Sequence, residues 1–289
     1  MQNARQLNNG IYIPNIGFGT SMIEGEECIV NIKKALQVGY RHIDTASAYK
    51  NEQYIGQAIK ESGIQREELF ITSKVWKDSM GYENTMKSFN RSLQDLRLEY
   101  IDLFLIHWPK NNNQELNIET WKALETLYKQ NKIRAIGVSN FLKHHLEDIL
   151  KYCEIIPMVD QLEFHPGLTR KDTIEFCKKN NIVVEAWSPL GKGKMLQNEE
   201  LVRISKKYNK SVAQICIKWC LQNEVIPLPK TTNFDRMIEN KDVFDFIISD
   251  EDMKFINGME FFAGSTMDPN KFGEIEKIIN VIEEEDMEL

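Results

Sequence analysis

Residues 39–56 read GYRHIDTASAYKNEQYIG, and this stretch contains the unit from which the fold can be inferred. A short apolar strand signal, Arg41–Ile43, ends at Asp44, and a helix is predicted to begin near Asn51. Tyr49 lies just before that helix. An aspartate past the end of a strand, close to a tyrosine at a helix entrance, suits a protein core poorly. The stretch therefore predicts both a strand–helix unit and a candidate acid–base site.

Strand-like runs and helical patterns alternate along the chain. Eight short apolar runs are predicted as strands: Ile16–Phe18, Arg41–Ile43, Leu69–Thr72, Ile101–Ile106, Ile133–Val138, Met158–Leu162, Ile182–Ala186 and Val225–Leu228. Apolar residues three and four positions apart predict helices between them, at Glu26–Val38, Gln53–Ser62, Tyr82–Leu96, Ile118–Gln130, Leu142–Tyr152, Lys171–Asn180 and Val212–Gln222. Gly39 and Gly63 follow predicted helix ends, as C-terminal caps commonly do. This α/β alternation predicts a single (β/α)8 TIM barrel and fits it better than a doubly wound sheet.

The two ends of the chain add further features to the barrel. Asn9-Gly10 lies between two short extended pieces, which predicts a β-hairpin that would plug one end of the barrel. A last helix is predicted from Ser249, whose hydroxyl would cap it. Residues 1–272 are expected to form the barrel domain with a C-terminal loop or tail. Residues 273–289 are expected to be an acidic C-terminal extension, with a helical pattern at 274–285.

Composition excludes several classes of function. The chain has 289 residues, is 42% hydrophobic and carries a net charge of −7, so it can bury a large core and is a poor ligand for nucleic acid. The N-terminal residues lack the apolar stretch of a signal peptide, and no apolar run reaches membrane-spanning length. The five cysteines show no CxxC spacing, which is typical of reduced thiols. We expect a cytoplasmic protein with no membrane partner.

Polar side chains stand where the predicted strands end. In a TIM barrel all strands end at one rim, which carries the active site. The polar residues at these ends are Asp44, Lys74, His107, Ser139, Asn140, Gln161, Glu163, Ser188 and Lys230. Each alone could be an ordinary surface or core residue. A lysine, an aspartate and a histidine buried at one rim are nevertheless costly unless they interact, so we predict one shared site.

These residue types suit the protonation of a carbonyl group. A free tyrosine has a pKa of about 10, and a Lys74 ammonium beside Tyr49 is expected to lower it, with Asp44 holding the ammonium in place. His107 would donate a hydrogen bond to a bound carbonyl, and Tyr49 would give its proton to the carbonyl oxygen as hydride reaches the carbon. None of these four groups is a hydride donor. A nicotinamide cofactor is therefore expected at the same rim.

Other motifs are weaker. Residues 17–22, GFGTSM, begin like the dinucleotide-binding GxGxxG sequence but end in methionine. Residues 191–194, GKGK, lack the spacing and the hydroxyl residue of a P-loop. His144-His145 has no third ligand at a useful spacing, which favours a solvated helix face over a metal site, and no metal is expected.

Residues 39–56 closely resemble the first signature of the aldo-keto reductase superfamily. Residues 96–109, LRLEYIDLFLIHWP, resemble the second signature, and residues 136–141 (IGVSNF) and 161–166 (QLEFHP) resemble two further family segments. The resemblance extends from Leu7 to Phe272. Within the family, the sequence is most similar in kind to microbial 2,5-diketo-gluconate, methylglyoxal and aldehyde reductases. It implies a catalytic tetrad, which falls on Asp44, Tyr49, Lys74 and His107.

The resemblance also implies NADP(H) as the cofactor. It places the nicotinamide carboxamide on Ser139, Asn140 and Gln161, and stacks the ring on Trp187. It implies further cofactor contacts at Gly19, Thr20, Asp44, Ser188 and Leu190. Residues 229–240 are similar to the segment for the adenosine 2′-phosphate, with Lys230, Thr231 and Arg236 at the phosphate, Thr232 beside them, and Glu239 and Asn240 near the adenine. Two cations and a hydroxyl at a helix entrance suit a phosphate dianion, so NADP(H) is expected to be preferred over NAD(H).

The substrate pocket implied by the resemblance is less aromatic than in many members. Trp76 and Trp108 match pocket positions, together with Tyr49 and His107. Ser21 stands where many members have a further tryptophan, which predicts a more open mouth. Residues after Phe261 are expected to close the pocket, with residues 267–272 similar to the family's tail. Asp160 replaces the usual asparagine, with little expected effect.

The expected function is NADPH-dependent reduction of aldehydes and ketones to alcohols by a monomer, with a small carbonyl compound as substrate. One alternative is a carbon–carbon double-bond reductase, although members of that kind have glutamate in place of His107. The other alternative is an NADP(H)-binding sensor or interaction module without significant turnover. The complete tetrad weighs against this second alternative.

Overall fold

The computed structural model describes residues 4–265 and 267–272, and it contains two sheets. An antiparallel hairpin pairs β1 (Ala4–Gln6) with β2 (Tyr12–Pro14). Eight strands form one parallel sheet in chain order: β3 (Phe18–Gly19), β4 (His42–Asp44), β5 (Phe70–Val75), β6 (Ile101–Ile106), β7 (Ile133–Ser139), β8 (Val159–Glu163), β9 (Val183–Trp187) and β10 (Val225–Leu228). Gly17 N donates to Pro227 O at 3.0 Å and Gly19 N donates to Pro229 O at 3.1 Å. These bonds join the first and last strands, so the predicted (β/α)8 barrel is confirmed.

Helices surround the sheet and connect its strands. The described helices are α1 (Gly25–Val38), α2 (Glu52–Ser62), α3 (Tyr82–Leu96), α4 (Gln114–Lys129), α5 (Lys143–Tyr152), α6 (Lys171–Lys179), α7 (Glu199–Tyr208), α8 (Val212–Gln222), α9 (Phe234–Lys241) and α10 (Asp250–Asn257). The periodicity of apolar residues did not predict α7 or α9 as separate helices. It also placed the start of α4 four residues late, because Asn113 caps that helix by accepting from Leu116 N.

Three predicted helix ends are confirmed by their backbone or side-chain geometry. Gly39 and Gly63 follow α1 and α2 with φ values of 98° and 69°, a left-handed conformation that glycine adopts without strain. Ser249 caps α10, since its side chain accepts from Asp252 N.

The N-terminal hairpin covers the amino ends of the barrel strands. Its loop spans residues 7–11 rather than a two-residue turn, with Leu7 N donating to Ile11 O at 2.8 Å. The Asn8 side chain donates to Pro157 O at 3.1 Å, just before β8, and the Asn9 side chain donates to Arg134 O at 2.9 Å, at the start of β7. The predicted hairpin plug therefore closes the end opposite the carboxyl rim, which stays available for a site.

The core fills the barrel and the layer between sheet and helices. Every residue of β5 and β6 is buried, as expected for parallel strands covered on both faces. At Gly137 in β7, a Cβ atom would lie 2.3 Å from Val159 O, so only glycine allows this approach between β7 and β8. Within the described residues, no helix combines the length and hydrophobicity needed to cross a bilayer. The acidic extension predicted for residues 273–289 lies outside the described residues.

Candidate active site

The four residues predicted to be catalytic lie around one mouth of the barrel. Asp44 is the last residue of β4, Lys74 lies near the end of β5, and His107 directly follows β6. Tyr49 ends a short 3₁₀ turn that connects β4 with α2. Ser47 in this turn donates its hydroxyl to Lys74 O at 2.9 Å, which holds the turn against β5.

Lys74 and Asp44 form a buried ion pair. Lys74 Nζ donates to both carboxylate oxygens of Asp44, at 2.7 and 2.9 Å, and to Thr45 O at 2.8 Å. Lys74 is 0% exposed and Asp44 is 4% exposed. Burial alone lowers the pKa of Lys74, but the charges of Asp44 and Tyr49 outweigh it and raise the pKa above the ordinary lysine value. These contacts keep the Lys74 ammonium charged and fixed.

Tyr49 stands against this pair. The Lys74 ammonium lies 5.3 Å from the centre of the Tyr49 ring, and the ring meets the His107 ring edge-to-face at 5.6 Å. Burial raises the pKa of Tyr49 above its ordinary value, and Lys74 opposes this only in part. The expectation that Lys74 would give a net lowered pKa is therefore wrong, because desolvation of the phenolate is the larger effect. Lys74 still lowers the cost of forming the phenolate, compared with the same buried tyrosine without a neighbouring cation.

His107 is an uncharged imidazole in an aromatic setting. Burial, followed by the charge of Lys74, lowers the pKa of His107 well below its ordinary value. Its ring meets the Trp76 ring edge-to-face at 5.0 Å. Among the described residues, His107 Nδ1 has no hydrogen-bond partner. Its backbone is fixed from the next strand, since the Asn140 side chain donates to His107 O at 2.9 Å.

The residues predicted to hold the nicotinamide form a connected network at the ends of β7, β8 and β9. Trp187 Nε1 donates to Asn140 Oδ1 at 2.8 Å, and the Ser139 hydroxyl donates to Gln161 O at 2.9 Å. The Gln161 side-chain nitrogen donates to Asp44 Oδ2 at 2.8 Å, which joins this network to the ion pair. The side-chain nitrogen of Gln161 is therefore committed to carboxyl groups inside the barrel.

The other predicted cofactor residues near the nicotinamide end lie in loops at the same rim. Thr20 is buried and donates its hydroxyl to Asp44 O at 2.9 Å. A Cβ atom at Gly19 would lie 3.1 Å from Leu228 O, which shows how closely the first and last strands approach. Ser188 has a left-handed backbone, with φ of 49°, and starts the loop that contains Leu190.

The residues predicted for the adenosine phosphate lie in the loop after β10 and in α9. Lys230, Thr232 and Arg236 are exposed. Among the described residues, no carboxylate pairs with Lys230 or Arg236. Asn240 is buried, and Glu239 accepts a hydrogen bond from the Ser211 hydroxyl, which ties α9 to the start of α8. Thr231 accepts at Oγ1 from the backbone N–H of the residue before α9.

Aromatic side chains line the substrate side. Trp108 is buried, and Phe272 stacks on it with ring centres 3.9 Å apart and planes 10° from parallel. Phe272 also meets Trp76 edge-to-face at 5.9 Å. The Asn111 side chain donates to Pro269 O at 2.7 Å and so anchors the segment before Phe272. This segment closes over the aromatic residues, as expected for residues 267–272.

Comparison with known proteins identifies the family. The family described as "Aldo/keto reductase family" matches residues 15–260. The chain belongs to this family. It is 52% identical over 255 residues to a glyoxal reductase from Bacillus subtilis (strain 168), covering 88% of this chain and 91% of that protein. It is 46% identical to a 9,11-endoperoxide prostaglandin H2 reductase from Trypanosoma cruzi (strain CL Brener), with 93% and 96% coverage.

Solved structures of aldo-keto reductases share the fold at a similar level. This chain is 38% identical in sequence to a Gox0644 mutant whose structure was solved in complex with NADPH. The two structures match with a TM-score of 0.88, over 93% of this chain and 97% of the other. The sequence-based identification of the family and of the oxidoreductase class is confirmed.

Two features of this aldo-keto reductase's rim were missed as site residues. Glu185 lies fully buried in β9 and accepts from the Gln161 side-chain nitrogen at 2.9 Å. A glutamate within the apolar run Ile182–Ala186 was the available signal. Phe272 was placed only in a tail expected to close the pocket, because the sequence gives no sign of its stacking on Trp108.

The predicted solvated face at His144-His145 is wrong for one of the two histidines. His145 is buried, lies 2.8 Å from Asn111 Oδ1 and accepts from Leu142 N at 3.1 Å, whereas His144 is exposed. Across residues 4–265 and 267–272, no group of three His, Cys, Asp or Glu side chains is arranged to hold a metal ion. All five cysteines are free thiols, and Cys153 is the one that is partly exposed.

Proposed function

We propose that this protein reduces aldehydes and ketones, including small dicarbonyl compounds of the glyoxal type, with NADPH. The observation that carries the proposal is the Lys74–Asp44 ion pair, buried beside the Tyr49 phenol with the His107 imidazole against the same ring. A buried, fully hydrogen-bonded cation next to a phenol is expensive to build and useful for moving a proton.

Tyr49 acts as the general acid in this proposal. Because the pKa of Tyr49 is raised, the phenol keeps its proton at neutral pH and is in the donating form. The Lys74 ammonium lowers the cost of leaving a phenolate behind when the proton passes to the carbonyl oxygen. His107, being neutral, carries one ring N–H that can donate to the same oxygen without adding charge. Together they orient and polarise the carbonyl group.

The residues present fit NADP(H). Lys230 and Arg236 are exposed cations that no carboxylate of the described chain neutralises, which leaves both able to bind a phosphate dianion. The Trp187 ring is partly exposed at the mouth and fixed through its indole N–H, so it can stack on a flat aromatic ring. Ser139 and Asn140 stand beside it. When bound, the nicotinamide supplies the hydride.

The relatives support the reaction class and the cofactor. A close relative is named a glyoxal reductase, and a solved neighbour is a complex with NADPH. Another relative of similar identity is named for reduction of a prostaglandin endoperoxide. Glyoxal-type compounds are therefore proposed as one group of substrates and not as the whole substrate range. We infer, as part of the same proposal, a cytoplasmic protein, because all five cysteines are free thiols, and a monomer, because the family resemblance implies one.

Steady-state kinetics with NADPH and glyoxal, methylglyoxal, an aromatic aldehyde and a conjugated enone test the proposal. We expect Tyr49→Phe to lower kcat by about 10²–10⁴-fold, because the proton donor is lost. NADPH affinity is expected to stay within about twofold, since the ring remains. Tyr12→Phe is a matched control, because Tyr12 is 52% exposed at the opposite end of the barrel. Reduction of the enone alone, or NADPH binding with no turnover, would establish one of the alternative functions instead.

Cofactor preference is tested separately. The double variant Lys230→Ala/Arg236→Ala is expected to weaken NADPH binding by about tenfold or more and to leave NADH binding nearly unchanged, because two charge-assisted phosphate contacts are lost. Lys254→Ala, an exposed lysine in α10, is the control. Tighter binding of NADH than NADPH by the unaltered protein would contradict the assignment.

A further inference from the structure

Glu185 is a second carboxyl group inside the top of the barrel. It lies on β9, is 0% exposed, and pairs in register with Gln161 on β8 and with Ile226 on β10. Gln161 is the bridge between the two carboxyl groups, because its side-chain nitrogen donates to Asp44 Oδ2 at 2.8 Å and to Glu185 Oε2 at 2.9 Å. Glu185 therefore belongs to the same hydrogen-bonded cluster as the ion pair.

The cluster has too few cations for both carboxyl groups to be charged. The Lys74 ammonium donates to the two Asp44 oxygens and to Thr45 O, and it acts on Glu185 only through its charge. The charged or titratable groups that face Glu185 are Asp44 and His42 from β4 and Lys74 from β5, and the Gln161 amide faces it from β8. No residue of β10 is titratable.

His42 does not supply a second positive charge. It is fully buried under the cluster, and its Nε2 lies 3.0 Å from Thr72 Oγ1 and 3.6 Å from Glu185 Oε1. Burial, followed by the charge of Lys74, lowers the pKa of His42 to about 3. Among the described residues, Glu185 Oε1 has no hydrogen-bond partner. A charged carboxylate with one oxygen unsolvated would be costly at this position.

We propose that Glu185 is a positioning residue of this site, which holds a proton between Gln161 and His42 and so leaves Asp44 as the one anion that balances Lys74. This inference rests on the proposed reductase function. Burial, and then the charge of Asp44, raises the pKa of Glu185 to about 8, which agrees with the geometry. While Glu185 is neutral, the field of Lys74 at Tyr49 is opposed by a single carboxylate.

Loss of this proton above about pH 8 weakens the general acid. A second negative charge then opposes the Lys74 ammonium, and a phenolate at Tyr49 becomes harder to form. Proton donation to the carbonyl oxygen slows as a consequence. Tyr49 itself keeps its proton in this range, because its pKa is raised above the ordinary tyrosine value, so the change comes from Glu185.

The first experiment compares pH profiles of Glu185→Gln and the unaltered protein. The glutamine is uncharged and nearly the same size, and it keeps an oxygen for the Gln161 N–H. With NADPH and glyoxal, kcat/KM of the unaltered protein is expected to fall about threefold between pH 7 and pH 9, and that of Glu185→Gln by less than about 1.5-fold. At pH 6 the two are expected to agree within about twofold. Identical profiles in an active pair would overturn the proposal.

The second experiment needs no activity. A carboxyl group whose folded pKa is raised loses its contribution to stability as the pH rises from the ordinary carboxyl range through the folded value. Urea unfolding should therefore show the unaltered protein losing stability relative to Glu185→Gln between pH 5 and pH 9. A constant difference would contradict the proposal.

Asp160→Asn is the matched control for the pH profile of activity. Asp160 is a buried carboxyl group outside the cluster, next to Cys177, and the same isosteric change replaces it with an amide that does not titrate. Its variant should keep the fall in kcat/KM above pH 8. If the unaltered protein reduces none of the carbonyl compounds at any pH, the proposed function fails, while the unfolding experiment still decides whether Glu185 holds the proton.

Discussion

Replacing Asp44 with asparagine would leave the Lys74 ammonium buried with no anion beside it. The two carboxylate contacts at 2.7 and 2.9 Å are replaced by one amide oxygen, and Thr45 O is the remaining acceptor. Lys74 is 0% exposed, so water cannot substitute for the lost charge. The reverse change, Lys74→Met, would leave the Asp44 carboxylate with donors from Gln161 but no cation.

The size of the effect follows from this burial. At 2.7 Å and an effective dielectric constant of about 20, the attraction between the charges is about 6 kcal/mol, most of which offsets their desolvation. Removing one partner of a buried pair costs about 3–5 kcal/mol, a large part of the roughly 5–15 kcal/mol by which such a domain is stable. The double variant Asp44→Asn/Lys74→Met removes both charges and should cost less than the sum of the single changes, with a coupling of about 3 kcal/mol.

Urea unfolding at pH 7, followed by tryptophan fluorescence, gives the four free energies of this double-mutant cycle. The matched control is Lys33–Glu61, an exposed pair at 3.0 Å with side chains 46% and 40% accessible, for which we expect no measurable coupling. Additive costs for Asp44 and Lys74 would refute the reasoning, since they would mean that the two charges do not depend on each other in the folded state.

Two further predictions concern the edges of the site. Phe272→Ala removes the ring stacked on Trp108, so KM for an aromatic aldehyde should rise about three- to tenfold while KM for glyoxal stays within about twofold; equal changes for both would contradict a roof over aromatic substrates. Burial raises the pKa of Asp160 well above its ordinary value. The stability that the protonated carboxyl group contributes is therefore lost as the pH rises from the ordinary aspartate pKa toward the folded one. The free energy of unfolding of Asp160→Asn in urea should therefore gain on that of the unaltered protein between pH 5 and pH 9, and an unchanged difference between the two would contradict this.

The parts of the site that the sequence predicted are those fixed by strand ends. Asp44, Lys74 and His107 each follow an apolar run, and parallel strands of a barrel bring such positions to one rim whatever the loops do. Helix caps were predictable for a similar reason. A left-handed glycine or a capping serine acts on the two or three residues beside it, so no tertiary information is needed.

The parts that the sequence did not predict depend on how deeply a side chain is buried, or on departures from the alternation of one strand and one helix. The expectation of one helix after each strand left no place for α7, although Asn198 caps it by accepting from Leu201 N. The direction of the Tyr49 pKa shift was wrong, because the residue types show a cation beside a phenol but not how far both are removed from water. Glu185 was overlooked since a single polar residue within an apolar run has no periodicity.

The contacts at the rim divide the site into two mechanically different halves. Ser47 ties the turn that carries Tyr49 to the backbone of Lys74, so the distance between phenol and ammonium is set locally, between β4 and β5. The cofactor half, at the ends of β7 to β9, reaches this acid–base half through two side-chain amides: Gln161 bonds to Asp44, and Asn140 bonds to His107 O. Because these bonds are few and buried, substitution of either amide should disturb the alignment of hydride donor and proton donor while the acidity of Tyr49 stays nearly unchanged.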